Sequence, residues 1–231
     1  MAANSSSTKP LKSLEELTSH FKSTPWCAKI LSAPGIIPFS PPSRRDPNQL
    51  PAGSTPSQDQ LFGRSLDNES AVPQFMGFYQ DPFAAATDSS SDITIAHPDL
   101  PFLTKSASLI FNLRPGVNGF NATVHGGFIA AMIDEAMGAL LFQNDVINRE
   151  AKAKGLLPPS AKDFADLGYF TARMDVRLRR PIPTPSIVVV AASLDKVEGR
   201  KIFLSVVVKG ETDEAYATCE GMWMSISKRK L

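Results

Sequence analysis

The chain has 231 residues, of which 42% are hydrophobic and 20% charged, a composition that excludes a wholly disordered protein. Its 24 lysines and arginines balance 23 aspartates and glutamates, so a net charge of +1 gives no electrostatic case for nucleic-acid binding. Two distant cysteines, Cys27 and Cys219, and three scattered histidines offer neither a disulfide framework nor a metal-ligand spacing. We therefore expect no metal and no cofactor, and no run of about 18 apolar residues predicts a membrane span.

Residues 1–96 are predicted to form a proline-rich N-terminal extension with one short helix. Proline removes amide donors and fixes φ, which disfavours helices and central strands in most of this segment. Residues 13–23 are the exception, because Ser13 followed by Glu16 is a capping-box pattern at the start of an amphipathic run. The N-terminus has no secretory signal pattern, so we expect a cytoplasmic protein, with a mitochondrial one as the alternative.

Residues 97–231 have the hydrophobic patterning that is typical of a folded domain. Residues 106–113 suit a strand, and residues 126–143 suit a helix that is apolar nearly all round and hence buried. Four further strand-like runs follow, at 169–180, 186–195, 200–209 and 215–226. Because the last three runs are joined by short connections, they favour antiparallel hairpins. The sequence predicts an α+β domain in which an antiparallel sheet wraps around a long central helix.

The start of the long helix is a candidate binding site for an anionic oxygen. Gly126 and Gly127 follow His125, and the first amides of a helix lack internal partners at its positive dipole end. Without side chains in the way, these amides could form an oxyanion hole for acyl transfer. The alternative is a tight turn with close backbone packing. We expect His125 to cap or orient the turn rather than to carry protons.

Asp134 is the candidate general base. It lies in the middle of the apolar helix, where an ionised carboxylate is costly unless it is paired. The alternative is that Asp134 and Glu135 mark a narrow solvent-facing side of the helix. Of the two carboxylates, Glu135 is expected to be the solvated one.

The spacing between these two candidates implies a dimer. Gly126 and Asp134 are eight residues apart, which is about 12 Å along a helix axis at about 1.5 Å per residue. If both act on one bond, the second group must come from another copy of the helix. Two antiparallel helices side by side would satisfy this condition, and Gly138 and nearby alanines would let them approach closely.

A basic surface is the third candidate. Strict alternation in 169–180 places Met174 and its apolar neighbours on one face. The other face then carries Thr171, Arg173, Asp175, Arg177 and Arg179. With Lys196 and Arg200 near the next hairpin, such a face suits phosphate groups. The alternative is a solvated sheet face whose charges prevent aggregation.

These motifs resemble a known family. His125-Gly126-Gly127 followed by Asp134 resembles the HGG…D motif of the hotdog-fold acyl-CoA thioesterases of the phenylacetate-pathway type. The runs RRPIP at 179–183 and LDKVEGRK at 194–201 are similar to the thioesterase group that includes the carboxyl-terminal modulator protein. The resemblance covers about residues 105–227, and we identify no resemblance for residues 1–96.

The resemblance implies specific roles. Asp134 matches the catalytic carboxylate, Gly126 the glycine whose amide polarises the thioester carbonyl, and Thr171 a hydroxyl that orients water or the nucleophilic step. The residues that match positions contacting CoA are Arg177, Arg179, Lys196 and Arg200. Arg177 replaces an uncharged polar residue, and Gly119 stands where some members have an asparagine.

The sequence therefore predicts an acyl-CoA thioesterase, a hydrolase of lipid metabolism that acts as a homodimer, with a dimer of dimers as an alternative. Asp134 would serve as general base or as nucleophile. Three other functions remain open: a biosynthetic thioesterase acting on a carrier-bound acyl group, a non-catalytic interaction module on the same scaffold, and a hydratase. The hydratase is disfavoured because no histidine follows Asp134 on the helix.

Overall fold

A seven-stranded antiparallel sheet is the centre of the molecule. The structure, a computed structural model, describes residues 12–44, 59–84, 102–157, 161, 167–212 and 214–227. The strands of the sheet are β1 (Ile36–Phe39), β2 (Gln74–Gln80), β3 (Ser106–Leu113), β6 (Leu167–Leu178), β7 (Ser186–Glu198), β8 (Lys201–Lys209) and β9 (Ala215–Ser227). A separate short hairpin is formed by β4 (Asn118–Phe120) and β5 (Thr123–Val124). The strand order is β1-β2-β3-β7-β8-β9-β6.

One long helix, α3 (Gly126–Ala153), lies across the inner face of the sheet and provides the centre of the main hydrophobic core. The prediction ended this helix ten residues earlier, at 143, where the sequence becomes polar. Three of these polar residues, Gln143, Asn144 and Asn148, are instead buried. The Asn144 side chain accepts from the Thr104 amide and donates to the Thr104 carbonyl, both at 3.0 Å. No helix in the described segments is long and apolar enough to span a membrane.

The predicted α+β hotdog architecture is confirmed by an antiparallel sheet wrapped on one long central helix. The predicted strand at 106–113 is observed with those bounds, and the four later strands agree with the prediction to within a few residues. Alternation explains the arrangement, because each strand presents one set of apolar side chains to α3.

The N-terminal extension contains more structure than the single predicted helix. α1 (Leu14–Lys22) begins with the predicted capping box, in which Ser13 Oγ accepts from the Glu16 amide at 3.1 Å. A second helix, α2 (Pro25–Leu31), follows, and β1 and β2 extend the sheet. The prolines are compatible with this structure, because Pro25 begins a helix and Pro38 lies in an edge strand.

The two N-terminal helices cover the outer face of the sheet. Phe21 of α1 and Cys27 of α2 are buried in a second core cluster together with Met76, Ile110 and Val189 of β2, β3 and β7. The sheet is therefore covered by α3 on one face and by the extension on part of the other. The predicted domain boundary at 96–97 lies outside the described residues and stays a prediction.

Strand β6 forms the far edge of the sheet and is bonded on one side to β9. On the side that faces α3, its apolar residues are incompletely covered. Met174 and Val176 are half-buried, and Leu178 is 55% exposed. This edge borders the helical segment that carries the candidate site.

Candidate active site

The chain enters α3 through a turn that uses the His125 side chain. His125 is the N-cap of the helix, and its Nδ1 accepts a hydrogen bond from the Gly127 amide at 2.9 Å. The backbone amide of His125 donates to the Val117 carbonyl, also at 2.9 Å. Of the two predicted oxyanion donors, Gly127 is thus occupied within the fold. The Gly126 amide has no acceptor among the residues that the structure describes.

Asp134 lies about two turns further along α3, and a residue of the sheet donates a hydrogen bond to it. Thr171 of β6 donates from Oγ1 to Asp134 Oδ1 at 2.6 Å. Asp134 is half-buried and Thr171 is exposed, so the pair lies at an open surface of the single chain. The hydrogen bond fixes one of the two carboxylate oxygens.

The pairing of Thr171 with Asp134 corrects the predicted arrangement of strand β6. A β-bulge between Thr171 and Arg173 inserts one residue, so that Thr171 pairs with Trp223 and Met174 pairs with Gly221. Directly paired residues share a face, and Gly221 packs against α3, since a Cβ there would lie 2.3 Å from the Met137 sulfur. Thr171 is therefore on the helix side with Met174, whereas strict alternation placed it with the arginines.

Trp223 is a residue of this site that the sequence analysis missed. It is paired with Thr171, is 8% exposed, and its indole Nε1 has no hydrogen-bond partner among the described residues. Its ring packs against Gly138, where an added Cβ would lie 3.2 Å from the ring. Gly138 thus makes room for the Trp223 side chain of the same subunit. The sequence analysis predicts instead that Gly138 makes room for a second helix.

The expectation that Glu135 is the solvated carboxylate is wrong. Ser43 of the extension donates from Oγ to Glu135 Oε1 at 2.6 Å. Burial raises the pKa of Glu135 to about 7. No local sequence pattern predicts this contact, because Ser43 and Glu135 are 92 residues apart and meet only in the fold.

The predicted CoA-binding residues fall into two separate groups. Arg177 of β6 lies near Asp175 at 3.5 Å and Glu220 at 3.8 Å. Arg179 donates from Nε to Thr218 Oγ1 at 3.3 Å. Both arginines line a surface cavity of about 250 Å³. They lie on the face of β6 opposite to Thr171, because of the bulge.

The second group lies at the β7–β8 hairpin. Lys196 donates to Glu198 Oε1 at 2.7 Å and lies 4.6 Å from the centre of the Phe203 ring, and Arg200 is in the turn. β8 and β9 separate this hairpin from β6, so at about 4.8 Å per strand spacing the two groups are about 14 Å apart across the sheet. In one copy of the chain they do not form a single cluster.

The arrangement suits acid–base chemistry at a carbonyl group. One end of α3 offers an unpartnered amide, and a carboxylate oriented by a hydroxyl lies about 12 Å away along the axis, at about 1.5 Å per residue. Within the described segments, no group of three or more histidine, cysteine, aspartate or glutamate residues could hold a metal ion. A single copy cannot bring both groups to one carbonyl.

Comparison with known proteins finds similarity to thioesterases over the segment that contains these residues. Residues 121–217 match the family model of the thioesterase superfamily. The chain is 26% identical over 195 residues to verlamelin biosynthesis protein B of Lecanicillium sp, covering 78% of this chain and 77% of that one. It is 33% identical over 116 residues to acyl-coenzyme A thioesterase THEM4 of Rattus norvegicus, covering 49% and 40%.

Similarity to solved structures is weaker. The PaaI protein of the E. coli phenylacetic acid degradation operon has 11% identity and a TM-score of 0.41, with 53% of this chain and 73% of that chain covered. The chain spans less than half the length of the THEM4 relatives from rat and Bos taurus. The segment that carries Gly126, Asp134 and Thr171 nevertheless lies within residues 121–217, which match the model of the thioesterase superfamily.

Proposed function

We propose that this protein is a thioester hydrolase that cleaves acyl-CoA to a free acid and CoA. The observation that carries the proposal is the 2.6 Å hydrogen bond from Thr171 to Asp134, which orients a carboxylate at an open surface beside β6. The unpartnered Gly126 amide supplies the complementary oxyanion donor. The acyl-coenzyme A thioesterase relatives from rat and Bos taurus support the substrate class.

The active unit is a homodimer in which each site uses both subunits. β6 is an edge strand of 12 residues that no other described strand pairs on its outer side, and an edge of this length is a template for pairing with a second copy. Pairing across a twofold axis would cover the half-exposed apolar side of β6 and bring two α3 helices together antiparallel. Gly126 of one subunit would then face Asp134 of the partner subunit.

In this dimer, the thioester oxygen accepts a hydrogen bond from the Gly126 amide, which stabilises negative charge as the carbonyl carbon is attacked. As general base, Asp134 of the partner subunit takes a proton from the attacking water. The tetrahedral intermediate then breaks its C–S bond, and the CoA thiolate leaves and is protonated. In the alternative, Asp134 attacks the carbon itself, the C–S bond breaks and the CoA thiolate leaves. Water then hydrolyses the mixed anhydride to the free acid, which restores the Asp134 carboxylate.

The dimer also explains how two distant basic groups could hold one CoA. Antiparallel pairing of β6 with its copy places opposite ends of the two strands side by side. Arg177 and Arg179 of one subunit would thereby approach the end of the sheet where the partner carries Lys196 and Arg200. Together these side chains would bind the CoA phosphates.

Replacing Thr171 with valine is expected to lower kcat about tenfold, because the carboxylate loses the hydroxyl that orients it. Thr171→Ser keeps the donor and should retain most of the activity. Thiol release from acyl-CoA, measured for both variants and the wild type, checks this. A Thr171→Val variant as active as Thr171→Ser would show that the hydroxyl does not contribute to turnover.

A second candidate is a biosynthetic thioesterase that releases an acyl group from a carrier protein. The verlamelin biosynthesis relative, which the chain covers over 77% of its length, favours this candidate. The basic groups would then bind an acidic carrier surface. Thiol release from a panel of acyl-CoA chain lengths, compared with the same acyl groups on a carrier protein, separates the two. Hydrolysis of neither would favour a non-catalytic module. A cytoplasmic or mitochondrial location and a dimer of dimers stay predictions from the sequence.

A further inference from the structure

A second polar cluster lies beside the proposed base, where the N-terminal extension meets α3. Ser43, in a short 3-10 helix formed by Pro42–Arg44, is buried and donates to Glu135 Oε1 at 2.6 Å. Glu135 is the residue after Asp134, so the two carboxylates leave the same helical turn about 100° apart. One carboxylate is held by the sheet and the other by the extension.

The segment that carries Ser43 is itself anchored. Arg44 is 8% exposed in its side chain, forms an ion pair with Asp67 at 2.5 Å, and donates to the Val72 carbonyl at 2.9 Å. Its guanidinium lies 5.5 Å from the centre of the Phe75 ring. A buried arginine bonded in this way holds the backbone beside it, because breaking the ion pair with Asp67 would leave a charge unpaired in the interior. Ser43 is thus presented to Glu135 from a rigid position.

Burial and several neighbouring groups shift the pKa of Glu135, some upward and some downward. Burial raises the pKa of Glu135 to about 7, while the hydrogen bond from Ser43 lowers it. The nearby carboxylates of Asp59 and Asp134 also raise the pKa and Arg44 lowers it, and the value of about 7 is the net result of all these effects. Glu135 therefore changes its charge near neutral pH, directly beside Asp134.

We propose that the N-terminal extension is part of the active site, because Ser43, fixed by Arg44, holds Glu135 as a positioning residue that sets the charge beside Asp134. This inference rests on the proposed hydrolase function. Glu135 does not touch the substrate in this account and acts through Asp134. Glu135 places no charge beside Asp134 when it is neutral and a negative charge beside it when it is ionised. The ionised form makes the electrostatic potential at the site more negative, which favours removal of a proton from the attacking water.

The test is the pH profile of kcat/KM for acyl-CoA hydrolysis between pH 5.5 and 9. The wild type should show an inflection near pH 7, at which activity rises, and Glu135→Gln should lack it. The ratio of wild-type to E135Q activity should therefore change about threefold or more across the range. Glu150→Gln changes an exposed carboxylate on the same helix and is the matched control, expected to keep the wild-type profile.

Ser43→Ala provides the second variant. Loss of the Ser43 hydrogen bond removes an interaction that lowers the pKa of Glu135, so the inflection should move to higher pH. Ser43→Thr keeps the hydroxyl and should restore the wild-type position. A merely structural role for Ser43 would lower activity equally at every pH and would leave the inflection where it is.

Folding stability gives a readout that is independent of turnover. The pKa of Glu135 is about 7 in the folded protein and 4.5 in the unfolded chain, so the folded state binds this proton more tightly. The contribution of Glu135 to the free energy of unfolding is therefore complete below pH 4.5 and is lost as pH rises through about 7. Urea unfolding should show this decline in the wild type and less of it in E135Q.

The outcomes separate the two proposals. A wild-type enzyme that hydrolyses thioesters while E135Q keeps both its pH inflection and its stability profile would overturn this inference alone. A wild type that hydrolyses no thioester would overturn the proposed function and this inference with it. Loss of the inflection in E135Q, together with its upward shift in S43A, would support both.

Discussion

Asp134→Asn is expected to lower kcat for acyl-CoA hydrolysis about 1,000-fold or more, because the amide can neither accept the proton of water nor attack the carbonyl. Asparagine keeps the size of the side chain and an oxygen that can accept from Thr171, so the fold should be unchanged. Thiol release under saturating substrate measures the effect.

Asp145→Asn is the matched control for this prediction. Asp145 lies on the same helix but pairs with Arg149 one turn further on, away from Thr171. D145N should keep near-wild-type turnover, and both variants should keep the wild-type circular dichroism and elution volume. An undiminished rate of D134N on several acyl-CoAs would remove Asp134 from the mechanism.

Gly126→Pro is expected to lower kcat about 100-fold, because proline removes the one amide hydrogen proposed to stabilise the oxyanion. The substitution suits the backbone. Gly126 is the first residue of α3, where proline is favoured, and His125 before it is extended, with φ −62° and ψ 131°. The helix should therefore form as before.

Gly126→Ala separates the lost amide from the added bulk. It keeps the N–H and adds a Cβ that would lie 3.1 Å from Leu178 Cδ1, the end of a flexible and largely exposed side chain. G126A should retain most of the activity that G126P loses. Similar losses in both variants would assign the effect to crowding at Leu178, and the oxyanion role of the amide would be refuted.

Local patterns in the sequence predicted the hotdog domain well. The apolar run after His125 marked the start of α3, the alternating run at 106–113 marked β3, and Ser13 with Glu16 marked the start of α1. Each of these signals is confined to a few neighbouring residues, so it is readable without knowing what packs against it.

The features that the sequence analysis missed depend on contacts between distant parts of the chain. The bulge after Thr171 moves a hydroxyl from one face of β6 to the other, and no periodicity reveals an inserted residue. The contact of Ser43 with Glu135 spans 92 residues. Pro38 disfavoured a strand, yet β1 forms because it lies at the edge of the sheet. In each case tertiary packing overrides the local pattern.

The central claim is that one site combines Gly126 of one subunit with Asp134 of the partner subunit. It is tested most directly by mixing two inactive variants, D134N and G126P, under conditions that exchange subunits. Half of the resulting dimers would contain one of each variant, and each of these would have one intact site, so activity should return to about one quarter of the wild-type value. If the mixture stays as inactive as its components, Gly126 and Asp134 of different subunits do not form one site, and the central claim is contradicted.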